Sequence, residues 1–225
     1  MLSTGLERLG HTALGVALLA SLAAPSPARA PGTEASRSLH ASHGRATAGW
    51  LIAERVYAEV DRRARLVDAP LRARIAREIL SEATRAGLDP LLVLALIHVE
   101  SSFDPGAISS AGAAGLMQLL EPTMGEVAAR SGLRSANPLD PVANVQAGVR
   151  YFAALLAAFK DAELALMAYN AGPGRIRRYL REGGVPERFW AYPRSVSREL
   201  SRLGGSLEPD DRAGTLLAVN DVPRG

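Results

Sequence analysis

Apolar positions fall into helical stripes along most of the chain. Leu51, Ala53, Val56, Tyr57 and Val60 make one stripe, and Leu71, Ile75, Ile79 and Ala83 make a second; recurrence every three to four residues marks an amphipathic helix. The second stripe stops at Gly87, which takes a left-handed cap without steric cost. Asp89-Pro90 then supplies a capping carboxylate and a proline at the first helical position. Asp140-Pro141 repeats that device ahead of Val142, Val145, Val149, Phe152, Leu156 and Phe159, the most regular stripe in the chain. Asp161 caps a further predicted helix over 161–170, and residues 173–181 and 193–203 predict two more. No run alternates at period two for long enough to demand a sheet, so the expected fold is mainly α.

The segment after Asp89-Pro90 is different in kind. Leu91, Leu92, Val93, Leu94, Ala95, Leu96 and Ile97 run on without a polar face, followed by His98, Val99 and Glu100. A helix that is apolar all round is enclosed by protein. A carboxylate at its tip loses water, which disfavours the charged form, and the partial negative charge at a helix C-terminus acts in the same direction. Glu100 is therefore expected to stay protonated near neutrality. The alternative is a surface glutamate at a frayed end. Ser101, Ser102 and Asp104-Pro105 end the helix, and Asp104 reads as a turn residue. Residues 106–115 then carry almost no side-chain bulk, which suits a backbone lying close to a ligand.

Composition narrows the chemistry. Cysteine is absent from the 225 residues, so disulfides, thiolate metal sites and a cysteine nucleophile are excluded. The net charge is +3, with Lys160 the only lysine, a weak attraction to anions and no nucleic-acid signature. His98 and Glu100 sit two apart and do not share a helix face, and no other histidine follows position 43, which disfavours zinc. His98 reads as a core or supporting residue. Neither a Gly-x-Ser-x-Gly nor a Ser-x-x-Lys arrangement is present, and the Gly172-Pro173-Gly174 turn lacks the lysine of a phosphate loop. No cofactor and no metal are expected. Arg175, Arg177, Arg178 and Arg181 read as a solvated helix face, with contact to an anionic polymer as the alternative.

The first thirty residues have a short polar start, an apolar run from Thr12 to Ala24 and small residues up to Ala30. That is the layout of a secretory signal peptide, and the run falls short of the roughly 20 residues of a spanning helix. A buried N-terminal helix is the alternative. The expected organisation is a signal peptide over 1–30, a flexible leader over 31–46, N-terminal helices over 47–86, a main domain over 87–203 and a loose tail over 204–225.

Three motifs in order carry a family resemblance. Glu100-Ser101, then Gly115-Leu116-Met117-Gln118 with Gln118 eighteen positions on, then Ala168-Tyr169-Asn170-Ala171-Gly172, closely resemble the catalytic domain of the soluble lytic transglycosylases, relatives of goose-type lysozyme. The similarity spans roughly Gly87 to Leu200. It implies a single lysozyme-like helical domain with a substrate groove, acting on peptidoglycan glycan strands as a monomer, in the periplasm or outside the cell. It also implies cleavage of the bond between N-acetylmuramic acid and N-acetylglucosamine with formation of a 1,6-anhydro ring, Glu100 acting first as acid and then as base. By the same match Ser109, Met117 and Gln118 line the groove, Tyr169 bonds near Glu100, Asn170 fixes the turn or contacts sugar, and Tyr192 stands for a C-terminal site tyrosine. The chain departs from the family pattern at Glu121, where Pro122 comes one position late, and at Pro193, which follows Tyr192 in place of valine. A non-catalytic wall-binding or secretion-accessory module and a hydrolytic goose-type lysozyme are the competing readings.

Overall fold

The computed structural model describes residues 49–205. The signal peptide, the leader and nearly all of the tail read from the sequence lie outside these residues. Helix α1 covers 49–63 and puts Val56 and Val60 in the core, but Leu51 and Tyr57 of the same predicted stripe remain exposed. In α2, Ala69–Ala86, the Asp68 carboxylate accepts from the Leu71 N–H and Ile75, Ile79 and Ala83 turn inward. Gly87 closes α2 at φ 66°, donating to the carbonyls of Ala83 and Thr84.

The apolar helix is α3, Pro90–Ser101, capped by Asp89 through the Leu91 N–H at 2.8 Å and buried from Pro90 through Ile97. It packs against α2 and α8. Beyond it, α4 (Glu121–Ser131), α5 (Pro141–Phe159) and α6 (Ala162–Ala171) form a second group, in which α5 contacts α2, α4 and α6. Asp140 caps α5 and Asp161 caps α6, as their spacing predicts. Helix α7, Pro173–Arg181, buries only Ile176; a 3-10 turn over Glu187–Trp190 then leads into α8, Ala191–Arg202. Helix α8 starts two residues ahead of the predicted 193, because a proline is tolerated in the first turn, where its missing N–H has no partner to lose.

Helix α4 has no counterpart among the predicted elements. It begins at Glu121-Pro122 without a side-chain cap and buries only Met124 and Ala128, so its stripe is too thin to stand out. Among the described residues the backbone forms no strand, only isolated bridges pairing Ile108 with Ala114 and Ala114 with Leu119. These bridges belong to the loop between α3 and α4. That loop is tied down by Asn144 of α5, which is fully buried. Its Oδ1 accepts from the Met117 N–H at 2.7 Å, while Nδ2 donates to the carbonyls of Ala114 and Pro138 at 3.0 and 2.9 Å. Gly115, at φ 80°, lies so close that a Cβ would sit 2.2 Å from the Pro138 oxygen and 2.6 Å from Asn144 Nδ2. Its smallness therefore serves close packing against protein, where the sequence suggested a close approach to ligand.

Candidate active site

The α3–α4 loop and the α6–α7 turn face each other across a groove of about 650 Å³. Glu100 lines it, together with Ser109 and Gln118 from the loop, Tyr151 from α5, and Tyr169, Asn170 and Arg175 from the α6–α7 side. Among the described residues that line this groove Glu100 is the only carboxylate. It projects from the last turn of α3, where Ser101 Oγ donates to the Leu116 carbonyl at 2.9 Å and so joins the helix end to the loop. Helix α3 next turns sharply through Ser102 and Phe103, both with positive φ. Asp104 is the turn residue its spacing suggests, its Oδ1 accepting from the Gly106 N–H at 2.8 Å.

Glu100 is half-buried, and loss of water pushes its carboxyl up to about 7. The opposing influence is the Tyr192 hydroxyl, which donates to Glu100 Oε1 at 2.5 Å and favours the charged form. The balance puts the group half protonated at neutral pH, the condition under which one carboxyl can give up a proton and take one back. Burial, followed by the Glu100 charge, pushes the phenols of Tyr192 and Tyr169 well above their ordinary range, so both remain hydrogen-bond donors.

The residues singled out by sequence have different fates. Ser109 and Asn170 reach the groove. Ser109 Oγ also accepts from the Ala113 N–H at 3.0 Å, shaping the loop, whereas no hydrogen bond to the Asn170 side chain is formed among the described residues. Asn170 thus does not fix its turn by side-chain hydrogen bonding and presents its amide to the groove. Gln118 lines the groove at φ 48°, but its Nε2 is spent on the carbonyls of Ala107 and Gly115, both at 2.9 Å. Among the described residues no hydrogen bond to its Oε1 is formed. Met117 is a correction: its side chain is fully buried and does not line the groove. It packs so closely on Gly148 of α5 that a Cβ there would lie 2.4 Å from the sulfur.

Tyr169 donates to the Met117 carbonyl at 2.8 Å, and the hydroxyl on Glu100 belongs to Tyr192, at the start of α8. Pro193 does not displace it. His98 is a further correction to the core reading, since its side chain is 41% exposed and its Nε2 lies 3.9 Å from Glu199 Oε2, in a surface hollow with Arg62, Arg63 and Arg202. Sequence reasoning missed Tyr151 and Thr123 as groove residues. Tyr151 had a readable signal: it adjoins Phe152 at the border of the regular α5 stripe, where a phenol faces neither core nor open solvent. Among the described residues no group of three or more acidic or histidine side chains is placed to hold a metal ion.

A helical lysozyme-like domain built around a groove with one half-protonated acid is the class that fold and geometry define. Residues 78–188, just under half of the chain, match the family model for the transglycosylase SLT domain. Among relatives, the membrane-bound lytic murein transglycosylase C of Haemophilus influenzae is 34% identical over 159 residues, covering 64% of this chain and 43% of that protein. The protein of the same description from Shigella sonnei is 35% identical over 105 residues, covering 41% and 29%. The chain thus spans less than half the length of these relatives. Among solved structures, an inactive variant of the lytic transglycosylase Slt from Pseudomonas aeruginosa superposes with a TM-score of 0.54 at 26% identity, over 61% of this chain and 26% of that one. A 70-kDa soluble lytic transglycosylase in complex with bulgecin A shares the fold at a TM-score of 0.52 and 20% identity, over 60% of this chain and 25% of that one.

Proposed function

We propose that this protein is a peptidoglycan lytic transglycosylase that cuts the β-1,4 bond between N-acetylmuramic acid and N-acetylglucosamine. Glu100, protonated, donates to the glycosidic oxygen as the bond from that oxygen to C1 of the muramic residue breaks. The resulting carboxylate accepts the proton of the C6 hydroxyl of the same sugar while that oxygen bonds to C1. Glu100 is returned to its starting state, a 1,6-anhydro ring is left on one fragment, and no water is consumed. Most glycosidases need a second carboxylate, as nucleophile or to activate water. The internal hydroxyl makes that second group unnecessary, and the single observation that carries the reading is that Glu100 stands alone as an acid among the described residues that line the groove.

Tyr192 aims the Glu100 carboxyl, and Ser109, Gln118 Oε1 and Asn170 offer polar contacts to sugar hydroxyl and acetamido groups. Among the described residues that line the groove Arg175 is the one cation, and it suits the carboxylates of peptide stems on the glycan. The names of the relatives and the signal-like N-terminal sequence support a place in the cell envelope. The reading is tested by digesting purified peptidoglycan and weighing the fragments. Anhydro ends, one water lighter than hydrolysis products, are expected and should vanish with Glu100→Gln. Reducing muramic ends would instead make the protein a hydrolytic lysozyme, and binding without cleavage would make it a wall-binding module.

A further inference from the structure

Helix α1 and helix α8 both lie outside the matched domain of residues 78–188, yet an ion pair joins them. The meeting point is Arg63, at the end of α1, with a side chain only 11% exposed. Its Nη2 lies 2.8 Å from Glu199 Oε1 of α8, and its Nε lies 2.7 Å from Glu59 Oε2 of its own helix. The guanidinium also stands over the ring of Phe103, 5.4 Å from the centroid. Two of its buried donors, Nε and Nη1, form no aligned hydrogen bond, so charge and the aromatic face hold it in place.

Each contact leads to Glu100. Glu199 is seven residues beyond Tyr192, two helical turns along the same face of α8, so a contact that fixes Glu199 fixes Tyr192 as well. Phe103, buried and at φ 68°, belongs to the turn that ends α3 directly after Glu100. We propose that Arg63 is a positioning residue for Glu100, fixing the register of α8 and its Tyr192 hydroxyl through Glu199 and packing down the end of α3 through Phe103. Helix α1 is thereby part of the mounting of the acid and not only a cover for the core. The inference deepens the proposed role of Glu100 and rests on it.

The groups facing Glu100 are Tyr192 from α8 and Tyr169 from α6, with His98 on its own helix turned toward Glu199. Around Arg63 stand Glu59, Arg62, Glu199, Arg202 and His98. Arg202 bonds both oxygens of Glu199 at 2.9 Å, so Arg63→Met leaves that carboxylate paired and is expected to fold.

The test is a carboxyl-carbon NMR titration of Glu100 in the whole protein, which requires no glycan and so stands apart from any failure to find cleavage. Tyr192→Phe removes a hydrogen bond to the charged form and should raise the midpoint by about one pH unit. Arg63→Met should raise it in the same direction by about half as much, with Arg63→Lys returning it toward wild type. In the Tyr192→Phe background Arg63→Met should shift the midpoint by clearly less than it does in the wild type, because the route through α8 is already gone and only the packing on Phe103 remains. A midpoint unmoved by Arg63→Met while the melting temperature falls would make Arg63 a structural residue and overturn the proposal. So would an equal shift in the Tyr192→Phe background, the sign of a direct charge effect. If Arg63→Met does not fold, Glu199→Gln is read by the same criteria.

Discussion

Glu82 and Glu100 are both drawn away from water, and they end in opposite states. Glu82, on α2, is 1% exposed, and burial is the largest single influence on it, acting upward. Arg150 of α5 grips it with two bonds of 2.6 and 2.8 Å, Arg85 adds a third, and together the cations overcome burial and hold the carboxyl below its ordinary range. Glu100 is less buried but has a phenol for a partner and, among the described residues, no paired cation, so burial prevails and the carboxyl rises to about 7. Counter-charge, more than depth, thus separates a carboxylate that clamps two helices from one suited to moving a proton.

The comparison breaks most visibly at Glu100 itself. Glu100→Gln keeps the shape and an acceptor for Tyr192 but cannot release a proton, so release of anhydro fragments should fall by about a thousandfold, within the range assigned to general acid–base groups. At the other carboxylate, Arg150→Met leaves Glu82 buried with only Arg85 beside it. Breaking a buried pair from one side costs about 3 kcal/mol or more, which calorimetry should register as a melting temperature lower by about 10 °C, with partial recovery in Glu82→Gln/Arg150→Met.

A third effect is smaller and opposite in sign between the two sites. Glu100 titrates in the folded protein above the 4.5 of a free glutamate, so its contribution to stability is complete below pH 4.5 and is lost as pH rises through about 7. Glu100→Gln should therefore stabilise the protein by about 2 to 3 kcal/mol at pH 8 and by little at pH 4 in denaturant titrations. For Glu82, held below 4.5, the stabilisation is present above that value and fades as acid protonates it. The smallest effect is that of Tyr192→Phe, which should move the alkaline limb of the pH–activity profile upward by about one pH unit, making Glu100 still less like Glu82.

What the sequence disclosed follows from the reach of its signals. The unbroken apolar run of α3 announced an enclosed helix with an acid at its tip, and the capping pairs Asp89-Pro90 and Asp140-Pro141 announced two helix starts; all of these are local. The Glu82–Arg150 clamp joins residues 68 apart and leaves no periodic trace. Tyr192 is 92 residues from Glu100, and only the family pattern brought it to notice. Met117 was misplaced because motif position says that a residue matters near a groove without saying which way its side chain points; the thioether fills the hollow over Gly148 while its backbone atoms serve Asn144 and Tyr169.

The account rests on Glu100 holding its proton to neutral pH while Glu82 does not. Carbon-13 NMR titration of both side-chain carboxyls in one sample tests this most directly. A Glu100 midpoint of about 7, with Glu82 titrating below 4.5, is the predicted result. A Glu100 midpoint at the ordinary 4.5 would contradict the account.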